Sequence, residues 1–312
     1  MDVGTTLPGV GHDLVAFAQH AEGLGLESLW HGDHLIPVNP FLDSTLVHAT
    51  VAAVTTKIKL GFGVMVLPLR QPAWTAKQIA TLQHLSGDRV LLGVGSGGEA
   101  HGEAAWHAVD VPFAERGKRT DAILEVLPGL VRGEKTLLHG KEIALSPGAT
   151  MPPVLVGGGG KPALRRAARF GDHWYPAFTT PHAIGKALAE LEELAASYGR
   201  PRPGVTVGVT VALGDVPTSV IDQRVKGMTD YGLPEEFARQ TIITGTPAQA
   251  AERFAAFAEA GVDRIVAMPF TEDRFRQTEL IAEAVFDGRD SVAAARPPGG
   301  RQADGGLATV VL

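Results

Sequence analysis

The chain has 312 residues, no cysteine, and 28 Lys+Arg against 34 Asp+Glu, a formal charge of −6. That length buries an ample core as one large α/β domain or two small ones; with 45% hydrophobic and 20% charged residues the composition is that of an ordinary globular protein, not a disordered or fibrous one. Without cysteine there is no disulfide framework, zinc–thiolate site, iron–sulfur cluster or cysteine nucleophile, and the mild acidity gives no basic footprint for nucleic acid or an anionic membrane.

In chain order, short β-branched runs alternate with stretches of helical period. Residues 2–7 read as a strand, and 12–24 then repeat apolar residues at Leu14, Phe17, Ala18, Ala21 and Leu24, a 3.6-residue period. Strands are expected at 26–31, 58–66 and 89–95, with helices at 43–55, 73–85 and 115–131. The second half continues with strands at 153–156, 173–175 and 205–213 and helices at 162–170 and 182–198. Thr246-Pro247-Ala248-Gln249 supplies an N-cap, an N1 proline and a capping-box glutamine, Gly261 a stop, and 263–268 the eighth strand. A last helix is expected over 274–286. Eight strands alternating with eight helices predict an α/β fold of the (β/α)8 TIM-barrel type, with a doubly wound open sheet as the alternative.

Residues 291–312, rich in Pro and Gly, are expected to be a disordered tail behind a single 1–290 barrel. Met1–Gly4 carries no basic or apolar leader. The longest uncharged run, 143–160, is broken by Pro147, Pro152 and Pro153, so it is no membrane span. A cytoplasmic protein without membrane or nucleic-acid partners is expected.

In such a barrel the chemistry sits where strands end and βα loops begin. The second strand ends in Trp30-His31-Gly32-Asp33-His34, where a carboxylate beside an imidazole suits acid–base work; a solvated loop with two unrelated histidines is the plain alternative. A metal held by His31 and His34 would need a third ligand that the sequence does not place, so no metal is expected. The fourth strand ends in Gly93-Val94-Gly95-Ser96-Gly97-Gly98, formally G-x-G-x-x-G. It lacks the helix and following acidic strand of a dinucleotide fold, so the glycines are read as letting a ligand approach the backbone.

The fifth strand ends in Gly157-Gly158-Gly159-Gly160-Lys161-Pro162. This is no Walker loop, but glycines opening a helix leave amides free at a positive dipole end, which suits a phosphate; a merely flexible loop is the alternative. The exit of the third strand, Gly63 to Pro72, suggests no chemistry by itself, and Trp74, Trp106 and Trp174 read as packing residues.

Taken together, several segments resemble the bacterial luciferase-like superfamily of flavin- and deazaflavin-dependent oxidoreductases. They are LWHGDHL at 29–35, the run from Leu60 to Gly97, VPFAERGKRTDAILEVL at 111–127, PPVLVGGGGKPALRRAARFGDHWYP at 152–176 and ITGTPAQAAERFAAFAEAGVDRIV at 243–266. The resemblance implies a luciferase-like barrel, commonly dimeric, that binds reduced FMN or coenzyme F-420 at its C-terminal mouth. It places a cis non-prolyl peptide at Gly63-Val64, where the two residues support the cofactor's ring, further cofactor contacts at Ser96 and Gly97, and a phosphate loop at Gly158, Gly159, Gly160 and Lys161. Asp33 and His34 match the Asp-His pair of the deazaflavin branch, with Asp33 at the cofactor and His34 as the catalytic residue, which favours F-420 over FMN.

Two departures stand out. Gly98 intervenes before Glu99, where some deazaflavin dehydrogenases carry a catalytic glutamate. The basic residues that hold a sugar phosphate in one such dehydrogenase have no clear match.

The expected activity is hydride transfer between F-420 and a small organic substrate. The alternatives are an FMNH2-dependent monooxygenase using O2, served by a separate cofactor reductase, and a non-catalytic flavin-binding barrel. A non-redox barrel is disfavoured because no Schiff-base lysine or paired carboxylate stands at a strand end. A homodimer is expected.

Overall fold

The computed structural model describes residues 1–98 and 102–295. Glu99 and residues 296–312 of the expected tail therefore lie outside the described residues. The strands are β1 (Asp2–Thr6), β2 (Ser28–His31), β3 (Lys59–Phe62), β4 (Met65–Val66), β5 (Val90–Gly95), β6 (Thr136–Leu138), β7 (Lys141–Ile143), β8 (Val154–Gly157), β9 (His173–Tyr175), β10 (Gly204–Leu213), β11 (Ile242–Gly245) and β12 (Arg264–Pro269). The helices are α1 (Leu14–Gly23), α2 (Ser44–Val54), α3 (Pro72–Ser86), α4 (Ala104–Ala108), α5 (Arg116–Arg132), α6 (Lys161–Phe170), α7 (Pro181–Ser197), α8 (Thr218–Asp230), α9 (Glu235–Thr241), α10 (Pro247–Glu259) and α11 (Arg274–Ala295). Helix α11 thus runs past the expected end at 286.

Pairing is parallel around a closed circuit, β1–β2–β3–β5–β8–β9–β10–β12 and back to β1. The eight expected strands are the eight staves of a (β/α)8 barrel. Buried side chains of the strands meet the apolar faces of the surrounding helices in one large core, as burial on both faces of a parallel sheet requires. A smaller cluster of Trp30, Leu91, Leu155, Tyr175 and Val266 fills the barrel's interior.

Local chemistry sets the boundaries. Asp13 caps α1 by accepting from the Ala16 amide at 3.0 Å, and Asp43 caps α2 through the amides of Thr45 and Leu46. The capping box of Thr246 and Gln249 opens α10 as expected. Gly87, in the left-handed conformation, ends α3.

Three features depart from the expected alternation. The third strand is split at Gly63-Val64 into β3 and β4, both paired with β5, and the Val66 amide of β4 donates to the Asp33 carboxylate. A β6–β7 hairpin turns through His139 and Gly140, both at positive φ, ahead of β8. Between β10 and β12 the chain makes an excursion through α8, α9 and β11. It leaves at Gly214 and returns at Gly245, and the Gly214 amide donates to the Gly245 carbonyl at 2.8 Å. Strand β11 lies along the upper half of β10, whose lower end pairs with β9.

At the N-terminal face, Arg264 of β12 donates to Glu27 at 3.0 and 2.8 Å and to Asp2 at 3.2 Å, while Lys59 meets Glu27 at 2.8 Å. This belt joins the starts of β12, β1, β2 and β3, at the end of the barrel opposite the loops that carry chemistry. Among the described residues no helix is long and apolar enough to cross a membrane.

Candidate active site

Because the eight staves are parallel, Asp33-His34, Gly63-Val64, Ser96-Gly97 and Gly158–Lys161 all follow C-terminal strand ends and share one mouth.

The Gly63-Val64 peptide is cis, at the position expected from the resemblance. Around it, three glycines of two neighbouring strands form a socket for the Val64 side chain. A Cβ built on Gly95 would stand 2.7 Å from Val64 Cγ2, one on Gly157 3.0 Å from Cγ1, and one on Gly93 3.2 Å from Cγ1. Gly93 and Gly95 are two residues apart, so they present the same side of β5. Without side chains at these positions of β5 and β8, Val64 occupies the space between them at the mouth. Beneath it Trp30 and Tyr175 pack edge to face at 5.3 Å, and Gly61 leaves the space that the Trp30 indole fills. Burial pushes the Tyr175 phenol well above its usual range, so it stays neutral.

Asp33 ties together three segments at the rim. Its carboxylate accepts from Arg70 Nε at 3.1 Å and Nη2 at 2.6 Å, from Ser44 Oγ at 3.0 Å and from the Val66 amide at 2.9 Å. The fork-on-carboxylate geometry fixes the exit of β4 against that of β2. Burial alone would lower the Arg70 pKa, but the hydrogen bonds and charge of Asp33 prevail and raise it. Next to this tie His34 is exposed at the mouth, its ring edge-on to Phe41 at 4.9 Å.

Phe41 also stacks on the buried His31 at 4.4 Å, and His31 Nε2 meets the Leu42 carbonyl at 3.2 Å. A pocket of about 70 Å³ opens here, lined among others by Pro8, Val10, His12, His31 and Phe41. Behind it His48 is fully buried with Nε2 on the Gly61 carbonyl at 3.1 Å; burial, then the neighbouring His31, holds its pKa down to about 3.

Gly97 has φ +69° and lies against Trp106 and Val66, so a side chain there would collide with the indole; Ser96 precedes it at the end of β5. On the fifth loop Gly158, at φ +117°, donates to the Tyr175 carbonyl at 3.1 Å and accepts from Trp174 Nε1 at 2.8 Å. With the loop so anchored, exposed Gly159 and Gly160 lead into α6, whose N-cap Gly160 provides no side-chain cap. Lys161 is exposed at the first helical position. Such a helix end offers unpaired amides to an anion.

Sequence reasoning missed Arg70, Ser44 and the glycine socket. Arg70 sits in a proline-bracketed turn that suggests only structure, and its partner lies 37 residues away. The alternation of Gly93 and Gly95 was the available signal for the socket. Trp106 and Trp174 are buried as packing residues, whereas Trp74 is 71% exposed. Among the described residues no group of three or more His, Asp or Glu side chains is placed to hold a metal ion.

The fold is that of the luciferase-like class of (β/α)8 barrels. The profile of the luciferase-like monooxygenase family matches residues 2–229. The chain belongs to that family, whose members are oxidoreductases.

Among curated relatives, an uncharacterised protein of Mycobacterium tuberculosis is 37% identical over 170 residues, 53% of this chain and 58% of the relative. The 4-hydroxyprotoasukamycin monooxygenase of Streptomyces nodosus subsp. asukaensis is 29% identical over 234 residues, 69% of this chain and 62% of the relative. The chain thus spans about three-fifths of the length of these relatives.

Among solved structures, an F420-dependent secondary alcohol dehydrogenase superposes with a TM-score of 0.80 at 16% identity, covering 93% of this chain and 99% of the other. A monooxygenase from Streptomyces bottropensis gives a TM-score of 0.77 at 18% identity, over 93% and 100%. The EDTA monooxygenase of Chelativorans sp. BNC1 gives 0.73 at 17%, over 93% and 94%. At these identities the superpositions show the fold.

Proposed function

We propose that this protein is an oxidoreductase that uses coenzyme F-420 to move a hydride to or from a small organic substrate at the mouth of the barrel. The observation that carries the reading is the Asp33-His34 pair at the end of β2, with Asp33 clamped by Arg70 and His34 exposed at the mouth against Phe41. The residues present suit a flat ring with a phosphate-bearing tail. The Val64 socket gives the ring a floor, Ser96 and Gly97 stand beside it at the end of β5, and the uncapped start of α6 suits the phosphate.

When bound, the deazaflavin supplies the hydride chemistry. The chain's own part is positional and protonic. Asp33 and Arg70 hold the rim in place, His34 holds or passes a proton at its imidazole, and the pocket beside Phe41 takes an apolar portion of the substrate and excludes water. A second copy of the chain and a cytoplasmic setting belong to the same proposal, and light scattering on the purified protein checks the dimer.

The second reading is an FMNH2-dependent monooxygenase with a partner reductase. It is favoured by the likeness to the Streptomyces nodosus monooxygenase. A barrel that only binds flavin is the third.

Fluorescence titration of the purified protein with F-420 and separately with FMN tests the proposal. Micromolar binding of F-420 in preference to FMN is expected. Preference for reduced FMN selects the monooxygenase, and binding of neither refutes a flavin-type cofactor altogether. His34→Ala then separates enzyme from binder: cofactor affinity is expected to hold within about threefold while turnover falls by roughly 10²–10⁴. Unchanged turnover removes His34 from the chemistry.

A further inference from the structure

Seven buried side-chain polar atoms lack a hydrogen-bond partner among the described residues, and three of them surround one loop: Arg224 Nε, Thr271 Oγ1 and Arg274 Nε. That loop, Pro269 to Asp273, leaves the C-terminal end of β12 at the mouth. Arg224 reaches it from α8, its guanidinium 5.8 Å from the centre of the Phe270 ring. Arg274 spends its terminal nitrogens on backbone and hydroxyl oxygens, donating to the Pro269 carbonyl at 2.5 Å and to the carbonyl and hydroxyl of Thr6 at 2.8 and 2.9 Å. Those partners satisfy donors without offsetting the charge.

Neither guanidinium has a carboxylate partner among the described residues. Burial is what pulls both below the usual arginine range, Arg274 to about 10. Two half-buried cations without a counter-ion, one against Phe270 and one directly following the loop that carries the buried Thr271 hydroxyl, are costly unless an anion joins them.

The anion's chemistry can be narrowed. The first turn of α11 is already served by Asp273, which accepts from the Arg276 amide at 2.9 Å, so no open helix end waits there for a phosphate. Asp273 and the exposed Glu272 beside it repel a dianion more than a monoanion. A planar carboxylate, by contrast, matches the open fork of Arg224, and Phe270 offers an apolar surface to the group that bears it. Arg274 also approaches the Leu7 carbonyl, next to Pro8 of the pocket described above, so this loop and that pocket adjoin in one mouth.

We propose that Arg224, Thr271 and Arg274 form an anion subsite that holds a carboxylate of the substrate, making this an enzyme for carboxylate-bearing organic molecules. The inference rests on the redox reading of the mouth and adds the substrate class to it.

The test is calorimetric titration of the full-length protein, with and without saturating cofactor, using benzoate, its neutral counterpart benzamide, and phenyl phosphate. Benzoate is expected to bind and benzamide not. Arg224→Met is expected to weaken benzoate at least tenfold, Arg224→Lys less, and Arg224→Met should leave the melting temperature unchanged or raised, since it removes an unpaired buried charge.

Equal responses to benzoate and benzamide, or benzoate binding untouched in Arg224→Met, overturn the subsite. Phenyl phosphate binding ten times tighter than benzoate overturns the carboxylate assignment. If the cofactor displaces benzoate and Arg224→Met loosens the cofactor, the anion belongs to the cofactor and the substrate assignment falls. A protein that binds neither flavin nor deazaflavin, yet retains benzoate binding sensitive to Arg224, refutes the redox reading and leaves the subsite standing.

Discussion

A methyl group added at Gly95 would meet Val64 Cγ2 at 2.7 Å, against a side chain already enclosed by Gly93 and Gly157. Val64 cannot retreat, because the other two socket walls are backbone, so the floor of the mouth must rise. Gly95→Ala is therefore expected to weaken cofactor binding at least tenfold while costing about 1–3 kcal/mol of stability, the usual range for overpacking. Val64→Ala in the Gly95→Ala background should restore much of the affinity, and fluorescence titration of the single and double variants reads both effects. Full affinity in Gly95→Ala would show that the floor does not contact the cofactor. Most of the mouth is legible at this scale, since glycines at strand ends and Asp33-His34 declare themselves by residue type. The clamp of Arg70 and the glycine socket around Val64 are not, because each depends on partners brought together by pairing of distant strands.

Between elements, the clamp of Asp33 on Arg70, Ser44 and the Val66 amide joins the exits of β2 and β4 to the start of α2. Asp33→Asn keeps the shape but gives up the charge and part of the bidentate pairing. It is expected to cost about 2 kcal/mol, the scale of hydrogen bonds to charged groups, and to lower turnover together with cofactor affinity, because the rim holding His34 loosens. Chemical denaturation and cofactor titration of the same variant check the two effects. A variant with wild-type stability would mean that the clamp is redundant.

Elements with strong signals are legible in the sequence: the eight staves from short apolar runs set between stretches of helical period, and α10 from its capping box. Strand β11 is not, since it lies outside the barrel's circuit, directly between two helices, and pairs only with the upper half of β10. The β6–β7 turn uses His-Gly in place of the usual Asn-Gly, which hides the hairpin.

Across the whole molecule, several buried groups shape the response to acid, His48 and Glu27 the most strongly displaced among them. His48 is held neutral by burial, far below its ordinary value of 6.5. The unfolded chain therefore takes up a proton there first, and stability falls as pH drops below about 6.5. At the opposite end of the barrel, burial works to raise the Glu27 pKa, but Arg264 and Lys59 prevail and hold it well below its ordinary 4.5. Its contribution is whole above that value and is lost as pH falls further. Melting temperature against pH should thus decline in two stages. His48→Leu should flatten the upper stage and Glu27→Gln the lower one, each at some cost in stability at pH 7. A profile unchanged by either variant would show that other groups govern acid sensitivity.

The excursion pinched between Gly214 and Gly245 has a consequence for how this barrel diversifies. Its two ends are already joined by a backbone hydrogen bond, so the barrel need not change to accommodate a different connection there. Replacing α8 and α9 by a short turn would reduce the loop-closure cost by about 2 kcal/mol, partly offsetting the apolar burial given up with the two helices. Exchanged between relatives together with β11, the segment would carry Arg224 with it and, on the proposal above, bring a preference for charge to an unaltered barrel.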